Sequence, residues 1–299
     1  MSKFHFIKNQ KVTLAIIAII LLAGIVSFFV RGFNIDIDFS GGTEIKLNIG
    51  TEVTNEVCDN INDIIRNHEL LGNDYVSSTT KSESTANMAI IRTGTKALDN
   101  AQIDALLDAV AAAYPDTDLN DKEINKIDPT IGDSLTKSAI IAVIVAVALM
   151  LVYIWIRFEL KSGIAAVLCL THDLFVMFAV YSLFQIPINA NIIAALLTIL
   201  GYSINATIVV FDRVRENKAK LVGTPFADVV NKSAHETMGR SVNTTLTTLF
   251  TIGMIYILGV DAIRDFAFPL IIGIVAGLFS SVFMSGMIWN ALDKLGKKN

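Results

Sequence analysis

Apolar residues run almost unbroken at six places along the chain: 12–30, 138–156, 163–184, 191–211, 241–260 and 266–291. A bilayer core takes about 20 apolar residues in a helix, and each run is close to that length. One such run can be the buried core helix of a soluble protein. Six of them in 299 residues cannot be enclosed in a soluble core of that size. The pattern therefore predicts an α-helical polytopic membrane protein with six transmembrane helices. The first run reads as a span rather than a cleaved signal. A signal core is about 7–15 residues and ends at small residues, whereas this run ends Ser27-Phe28-Phe29-Val30-Arg31.

Between the first two runs the periodicity changes. Residues 43–49 alternate apolar and polar, the strand period. Residues 53–71 place Val57, Ile61, Ile64 and Ile65 on one helical face and stop at Gly72-Asn73. A weak strand at 75–80 and a better one at 88–92 follow. Residues 101–113 carry Ile103, Leu106, Leu107 and Val110 at helical spacing, before Tyr114-Pro115. Residues 121–127 alternate again. The order β-α-β-β-α-β predicts an α+β ferredoxin-like domain. Three regions result: 1–31, the N-terminus and first helix; 32–137, the ferredoxin-like domain; and 138–299, five helices with a cytosolic loop at 212–240.

Charge sharpens this division. Only 17% of residues are charged, and the net charge is −4, which argues against a nucleic-acid partner. Residues 32–135 alone hold 19 acids and 7 bases. Basic residues gather in alternate short segments: Lys3, Lys8 and Lys11; Arg157 and Lys161; Arg213 to Arg240; and Lys294, Lys297 and Lys298. Lys and Arg mark the cytoplasmic side, so both termini are expected inside and the acidic domain outside. Cys58 then lies outside and Cys169 inside a membrane helix, and the two are not expected to pair.

Candidate chemistry is sparse. His68 stands alone in the outer domain, and no nucleotide-binding loop or acidic metal cage is present. No metal, cofactor or enzymatic activity is expected. Any work performed draws on an ion gradient or a partner.

Ionisable residues inside a bilayer are costly and are functional candidates. Asp173 lies ten residues into its span, ~15 Å deep. It reads either as part of a proton or ion path or as a hydrogen-bonded tie between helices. Neighbours in a helix point ~100° apart, so His172 is expected to face elsewhere and to be structural. The fourth run carries Ser203, Asn205 and Thr207, and the fifth carries Asn243, Thr244, Thr245, Thr247, Thr248 and Thr251. In the sixth, Gly273, Gly277, Ser281 and Ser285 form an i, i+4 small-residue stripe for helix packing. Phe226, Val229, Val230 and Ala234 share a helical face and predict a short helix lying on the inner membrane surface.

Several blocks resemble one family. FHFIKNQK precedes the first run, and FNIDIDFSGGTEI (33–45) follows it. Within the latter, Asp38, Gly41, Gly42 and Thr43 match an Asp-Phe-x-Gly-Gly-Thr signature. DPTIGDSL (128–135), THDL (171–174), LGYSINATIVVFDRVREN (200–217) and GRSVNTTLTTL (239–249) follow in order. The chain resembles SecF, the smaller half of the bacterial SecDF protein-translocation accessory complex. The resemblance implies an RND-like half bundle in the bacterial cytoplasmic membrane, paired with SecD beside the SecYEG channel. It also implies use of the proton gradient, or of sodium in some relatives, to draw a translocating polypeptide across. Membrane lipid is the remaining expected contact.

One position departs from the family. SecF sequences read Gly-Tyr-Ser-x-Asn-Asp-[Ser/Thr], and that Asp is regarded as proton-carrying. Here Ala206 takes its place between Asn205 and Thr207, while Arg240, the family's partner for the acid, is kept. The resemblance thus implies an ion path through Asn205, Ala206, Thr207 and Arg240, impaired at Ala206, and the acid at mid-membrane adds Asp173 as a candidate on the same path. A non-transporting scaffold of the export complex and half of an RND-type lipid or drug exporter are the competing readings. The short later outer segments disfavour the exporter.

Overall fold

The computed structural model describes residues 5–7, 10–68, 77–82, 85–94, 97–157 and 159–295. It divides into two compact units, one of residues 1–34, 142–186 and 191–299, the other of residues 35–141 and 187–190.

The second unit holds a four-stranded sheet. Its elements are α2 (Ile37–Ser40), β1 (Gly42–Asn48), α3 (Asn55–Arg66), β2 (Ser77–Lys81), β3 (Met88–Gly94), α4 (Asn100–Ala113) and β4 (Asp118–Ile127). The strand order is β2-β3-β1-β4, antiparallel throughout, with Ile45 opposite both Ile91 and Ile124. This is the ferredoxin-like arrangement that the periodicity predicts. Ile45, Leu47 and Ile91 on the strands and Ile61, Ile65, Leu106 and Val110 on the helices form one buried core. Local signals set the helix starts. Thr54 Oγ1 accepts from the Val57 N–H, and Asp99 and Gln102 form a reciprocal capping box, which satisfies otherwise orphaned donors. The helix expected over 53–71 is observed to Arg66. Gly72-Asn73, and residues 75–76 of the weak strand, lie outside the described residues.

The signature glycines answer to backbone geometry. Gly41 (φ +71°) and Gly42 (φ +125°) adopt conformations that side chains rarely tolerate. A Cβ on Gly41 would stand 2.8 Å from Pro129 Cα, and one on Gly42 would overlap the Thr93 carbonyl. Thr43 Oγ1 accepts from the Leu98 N–H at 2.9 Å.

The other unit is helical. Among the described residues are six helices long and apolar enough to cross a membrane: α1 (Gln10–Arg31), α5 (Pro129–Arg157), α6 (Leu160–Phe184), α7 (Asn191–Lys220), α8 (Phe226–Leu258), and a sixth made of α9 (Asp261–Phe279), a π-helical turn (Ser280–Met284) and α10 (Ser285–Leu295). Along α1, Thr13, Ile17, Gly24 and Ser27 are buried. Gly24 abuts Ala179 of α6 so closely that a Cβ would overlap it, and Ser182 of α6 donates to Ser27 Oγ. On α5, Ile140, Ile144, Leu149, Trp155 and Ile156 stay exposed, as suits a helix facing hydrocarbon.

One expectation is corrected. The segment 226–234 is no separate helix on the membrane surface; it is the start of the 33-residue α8. The stretch 212–240 is accordingly two helical ends joined by a short turn, not an extended loop. Val229, Val230 and Ala234 are buried, the first two in a cluster with Phe211, Val214 and Trp289. An amphipathic face covers a neighbouring helix as readily as a bilayer surface, and here α7 and α10 receive it. Arg213 bonds Glu236, and Asn217 bonds Ser233 and Glu236, closing the α7–α8 hairpin.

Candidate functional site: a carboxylate shared by three helices

The site begins at Thr171-His172-Asp173, midway along α6. Thr171 returns its hydroxyl to the Val167 carbonyl at 2.9 Å, a bond that keeps a polar side chain satisfied within its own helix. Asp173 cannot do this, and it is fully buried, at 0% exposure. Its partners come from other elements. Ser203 Oγ of α7 donates to Asp173 Oδ2 at 2.5 Å. Ser280 Oγ, the first residue of the π turn, donates to the same oxygen at 2.9 Å. His172 Nδ1 lies 3.0 Å from Oδ1. A buried carboxylate without such donors would be strongly unfavourable.

His172 corrects a second expectation. The two side chains bend toward each other although their Cα–Cβ bonds diverge. His172 is itself buried, at 5% exposure, with its ring against Phe279. Its Nε2 has no hydrogen-bond partner among the described residues. The contact suits two arrangements that differ by one proton: with Asp173 ionised, Nδ1–H of a neutral His172 donates to Oδ1, and with a further proton on Oδ1, Nδ1 accepts it while the imidazole proton sits on Nε2.

Ser280 reaches Asp173 from a stretch of irregular helix. The Ser285 N–H donates to the Ser280 carbonyl, an i→i+5 bond, and Cys169 Sγ also donates to that carbonyl at 3.7 Å. Single π turns recur at functional sites. The small-residue stripe lies immediately alongside. A Cβ on Gly273 would overlap Ile199, one on Gly277 would meet Ser203 Cβ at 3.2 Å, and Ser281 Oγ is 2.9 Å from Thr207 Oγ1. Ile199, Ser203 and Thr207 are themselves spaced i, i+4, so stripe and row meet turn by turn. Ser285 continues the stripe and donates to the Ser281 carbonyl. This close fit of α9 on α7 is what brings Ser203 to Asp173.

The other residues expected in an ion path lie elsewhere. Thr207 is buried in the α7–α9 seam. Asn205 is exposed, Ala206 half-buried and Arg240 exposed. Arg240 has no ion pair among the described residues, and the groups that hold Asp173 are His172, Ser203 and Ser280. The hydroxyls of α8 are mostly satisfied within their own helix: Thr244 bonds the Arg240 carbonyl, Thr247 and Thr248 bond that of Thr244, and Thr251 bonds that of Thr247.

Sequence reasoning missed Ser280, which lies beside the stripe rather than on it. It also missed Arg92, a lone base on β3. Arg92 Nε lies 3.1 Å from Asp36 Oδ1 and 2.9 Å from Glu44 Oε2, all three groups being largely buried. The signal was available: by strand alternation Glu44 falls on the face of β1 opposite Ile45 and Leu47, and Arg92 is the one charged residue of β3. Among the described residues no cluster of His, Cys, Asp and Glu could hold a metal ion. In the sheet domain, burial pushes the Cys58 thiol up and nearby Asp59 adds to this, so Cys58 is an unreactive thiol.

Six apolar helices among the described residues, a ferredoxin-like domain between the first two and a buried acid in the third define a polytopic membrane protein of RND-like architecture. Residues 107–295 match the family described as "Protein export membrane protein SecD/SecF, C-terminal". The chain belongs to this family, as a SecF-type member. It is 31% identical to the protein translocase subunit SecF of Petrotoga mobilis, covering 100% of this chain and 99% of that one. It is 36% identical to SecF of Acidaminococcus fermentans, covering 97% of each. The crystal structure of SecDF, a translocon-associated membrane protein from Thermus thermophilus, superposes with a TM-score of 0.81 at 30% identity, over 99% of this chain and 39% of that one.

Proposed function

We propose that this chain is the SecF-type partner of a SecD-type subunit in a bacterial cytoplasmic membrane, and that it assists polypeptide export beside a SecYEG-type channel by using the proton gradient through Asp173. The alternating Lys and Arg segments support cytosolic termini and an outer ferredoxin-like domain. The exposed Asn205 and Asn243 on α7 and α8 suit a second helical bundle better than lipid, because polar side chains join membrane helices. No nucleotide hydrolysis by the chain itself enters the reading.

One observation carries the proton reading: a single carboxylate, buried at the middle of α6, is held by α7 and the π turn. Ionised, Asp173 attracts the Ser203 and Ser280 hydroxyls. Neutralised by a proton taken up at Oδ1, with His172 Nδ1 as its acceptor, it holds them less strongly, since hydrogen bonds to ionised groups are roughly twice as strong. A gradient can shift a conformational equilibrium only through a group whose protonation differs between the states. Ala206 has no titratable group, so Asp173 takes that role in this chain. The nitrogen partner favours a proton over sodium, which prefers oxygen ligands.

Ala206 and the exposed Arg240 favour a second reading, a scaffold that stabilises the complex without coupling. Reconstituted vesicles separate the two. Asp173→Asn is expected to abolish gradient-dependent export and proton uptake while the complex still assembles. Normal export by that variant would remove Asp173 from the path. Export by the unaltered chain that is indifferent to the gradient would support the scaffold. Ala206→Asp is expected to raise proton conductance, and Ala206→Asn to leave it unchanged.

A further inference from the structure

Residues 187–190 join α6 to α7 along the chain, yet they pack as part of the sheet unit. α6 ends at Gln185, which is in the left-handed conformation, so the connection leaves the helix direction there. Ile188 then forms a parallel β-bridge with Ile35, and its carbonyl accepts the Asp36 N–H at 3.1 Å. Two residues on, the Ala190 N–H donates to Asp38 Oδ2 at 2.8 Å. Ala190 directly precedes Asn191, the first residue of α7. Its N–H is one of the donors that a helix start leaves unsatisfied, and an anion is favoured there. The first turn of α7 has no acid of its own; the acid comes from a segment 152 positions away.

The contacts continue into the sheet. Asp36 Oδ1 accepts the Ile37 N–H at 2.7 Å and the Arg92 Nε–H at 3.1 Å. Arg92 also bonds Glu44 of β1 and Thr80 of β2. A series of hydrogen bonds and ion pairs, joined through the backbone of residues 36–38, thus runs from the residue before α7 to three strands.

We propose that this series is the link by which displacement of α7 is delivered to the outer domain, with Asp38 the positioning residue at its α7 end. It rests on the proton reading above. Ser203, which answers to the charge on Asp173, lies thirteen residues along from Ala190, ~20 Å down the same helix. A helix is stiff along its axis, so a shift at Ser203 is felt at Ala190. There the connection cannot move without carrying Ile35, Asp36 and Asp38 with it. Both aspartates belong to the IDIDF segment, which gives its charges a role apart from the glycine turn that follows.

The test uses the complete chain assembled with its SecD-type partner and a SecYEG-type channel in vesicles, with export, proton conductance and complex yield all measured. Asp38→Ala removes the acceptor; Asp38→Asn keeps an oxygen there. Expected for Asp38→Ala is export reduced about tenfold at unchanged yield and unchanged conductance, and for Asp38→Asn export close to that of the unaltered chain. A paired Ile35→Cys, Ile188→Cys variant locks the bridge. Adjacent strands lie about 4.8 Å apart, within disulfide reach, and the oxidised form is expected to export normally because the link stays closed throughout.

Normal export by Asp38→Ala, joint loss of export and conductance, loss of export on oxidation, or failure of the disulfide to form would each overturn the proposal. An unaltered chain that conducts no protons would instead defeat the proton reading. The Ala–Asn contrast and the locked bridge would still decide the link through export and yield.

Discussion

Ser203 Oγ of α7 donates a 2.5 Å hydrogen bond to Asp173 Oδ2 of α6, and Ser280 of the π turn donates to the same oxygen. One carboxylate oxygen therefore ties two separate elements to α6. The tie depends on the α9 stripe: Gly277 lies against Ser203, where a Cβ would stand 3.2 Å from Ser203 Cβ, so a side chain larger than a methyl has no room without moving α7.

The two serines are expected to act together on Asp173. Leaving a buried acceptor short of a donor costs about 1–3 kcal/mol, so Ser203→Ala and Ser280→Ala should each lower the melting temperature of the purified complex. Because both hydroxyls serve Oδ2, the double variant should depart from additivity by at least about 0.5 kcal/mol. Strict additivity would show that the two hydroxyls act independently.

Gly277→Leu should lower the yield of folded protein far more than Val275→Leu. Overpacking costs about 1–3 kcal/mol or more, and a Cβ at 277 already stands 3.2 Å from Ser203 Cβ. Val275 is half exposed and has room for the extra methylene. Equal yields from fluorescence-detected size-exclusion chromatography would argue against the close seam.

Single cysteines at Asp99 and Asp108 should react with a membrane-impermeant maleimide in intact cells, and a cysteine at Lys218 only after permeabilisation. All three positions are exposed. Labelling at 218 in intact cells would reverse the orientation.

Asp128 caps the start of α5, accepting the Thr130 N–H at 2.8 Å and the Thr130 hydroxyl at 2.6 Å. The hydroxyl first, then the N–H, hold its carboxyl below the ordinary range. A lowered folded pKa means that its contribution is present above the unfolded pKa, about 3.9 for Asp, and is lost as pH falls through the folded value. Asp128→Ala should therefore speed hydrogen exchange at Thr130 near neutral pH. Its difference from the unaltered chain should vanish well below pH 4. A difference that persists in acid would mean that the cap does not depend on the charge.

The six spans, the position of the sheet domain and its strand–helix order were all legible in the chain, because periods of 2 and 3.6 and runs of twenty apolar residues are local properties. The stripe at Gly273, Gly277, Ser281 and Ser285 was legible as a packing face for the same reason. Its receiving row on α7 was not, since neither helix's rotation is written in its own residues. Asp173 was conspicuous as a lone acid in an apolar run. Its donors lie 30 and 107 positions away, and only the α7–α9 register and the π turn bring them together. The amphipathic pattern at 226–234 showed that a face must be covered; the fold decided that α7 and Trp289, rather than lipid, cover it. Asp38 stood out as a signature residue, but its bond to Ala190 spans 152 positions. Hydropathy and periodicity record how each segment meets an average solvent. Which groups meet one another is settled only when the helices take their rotations and the 187–190 connection docks on the sheet domain.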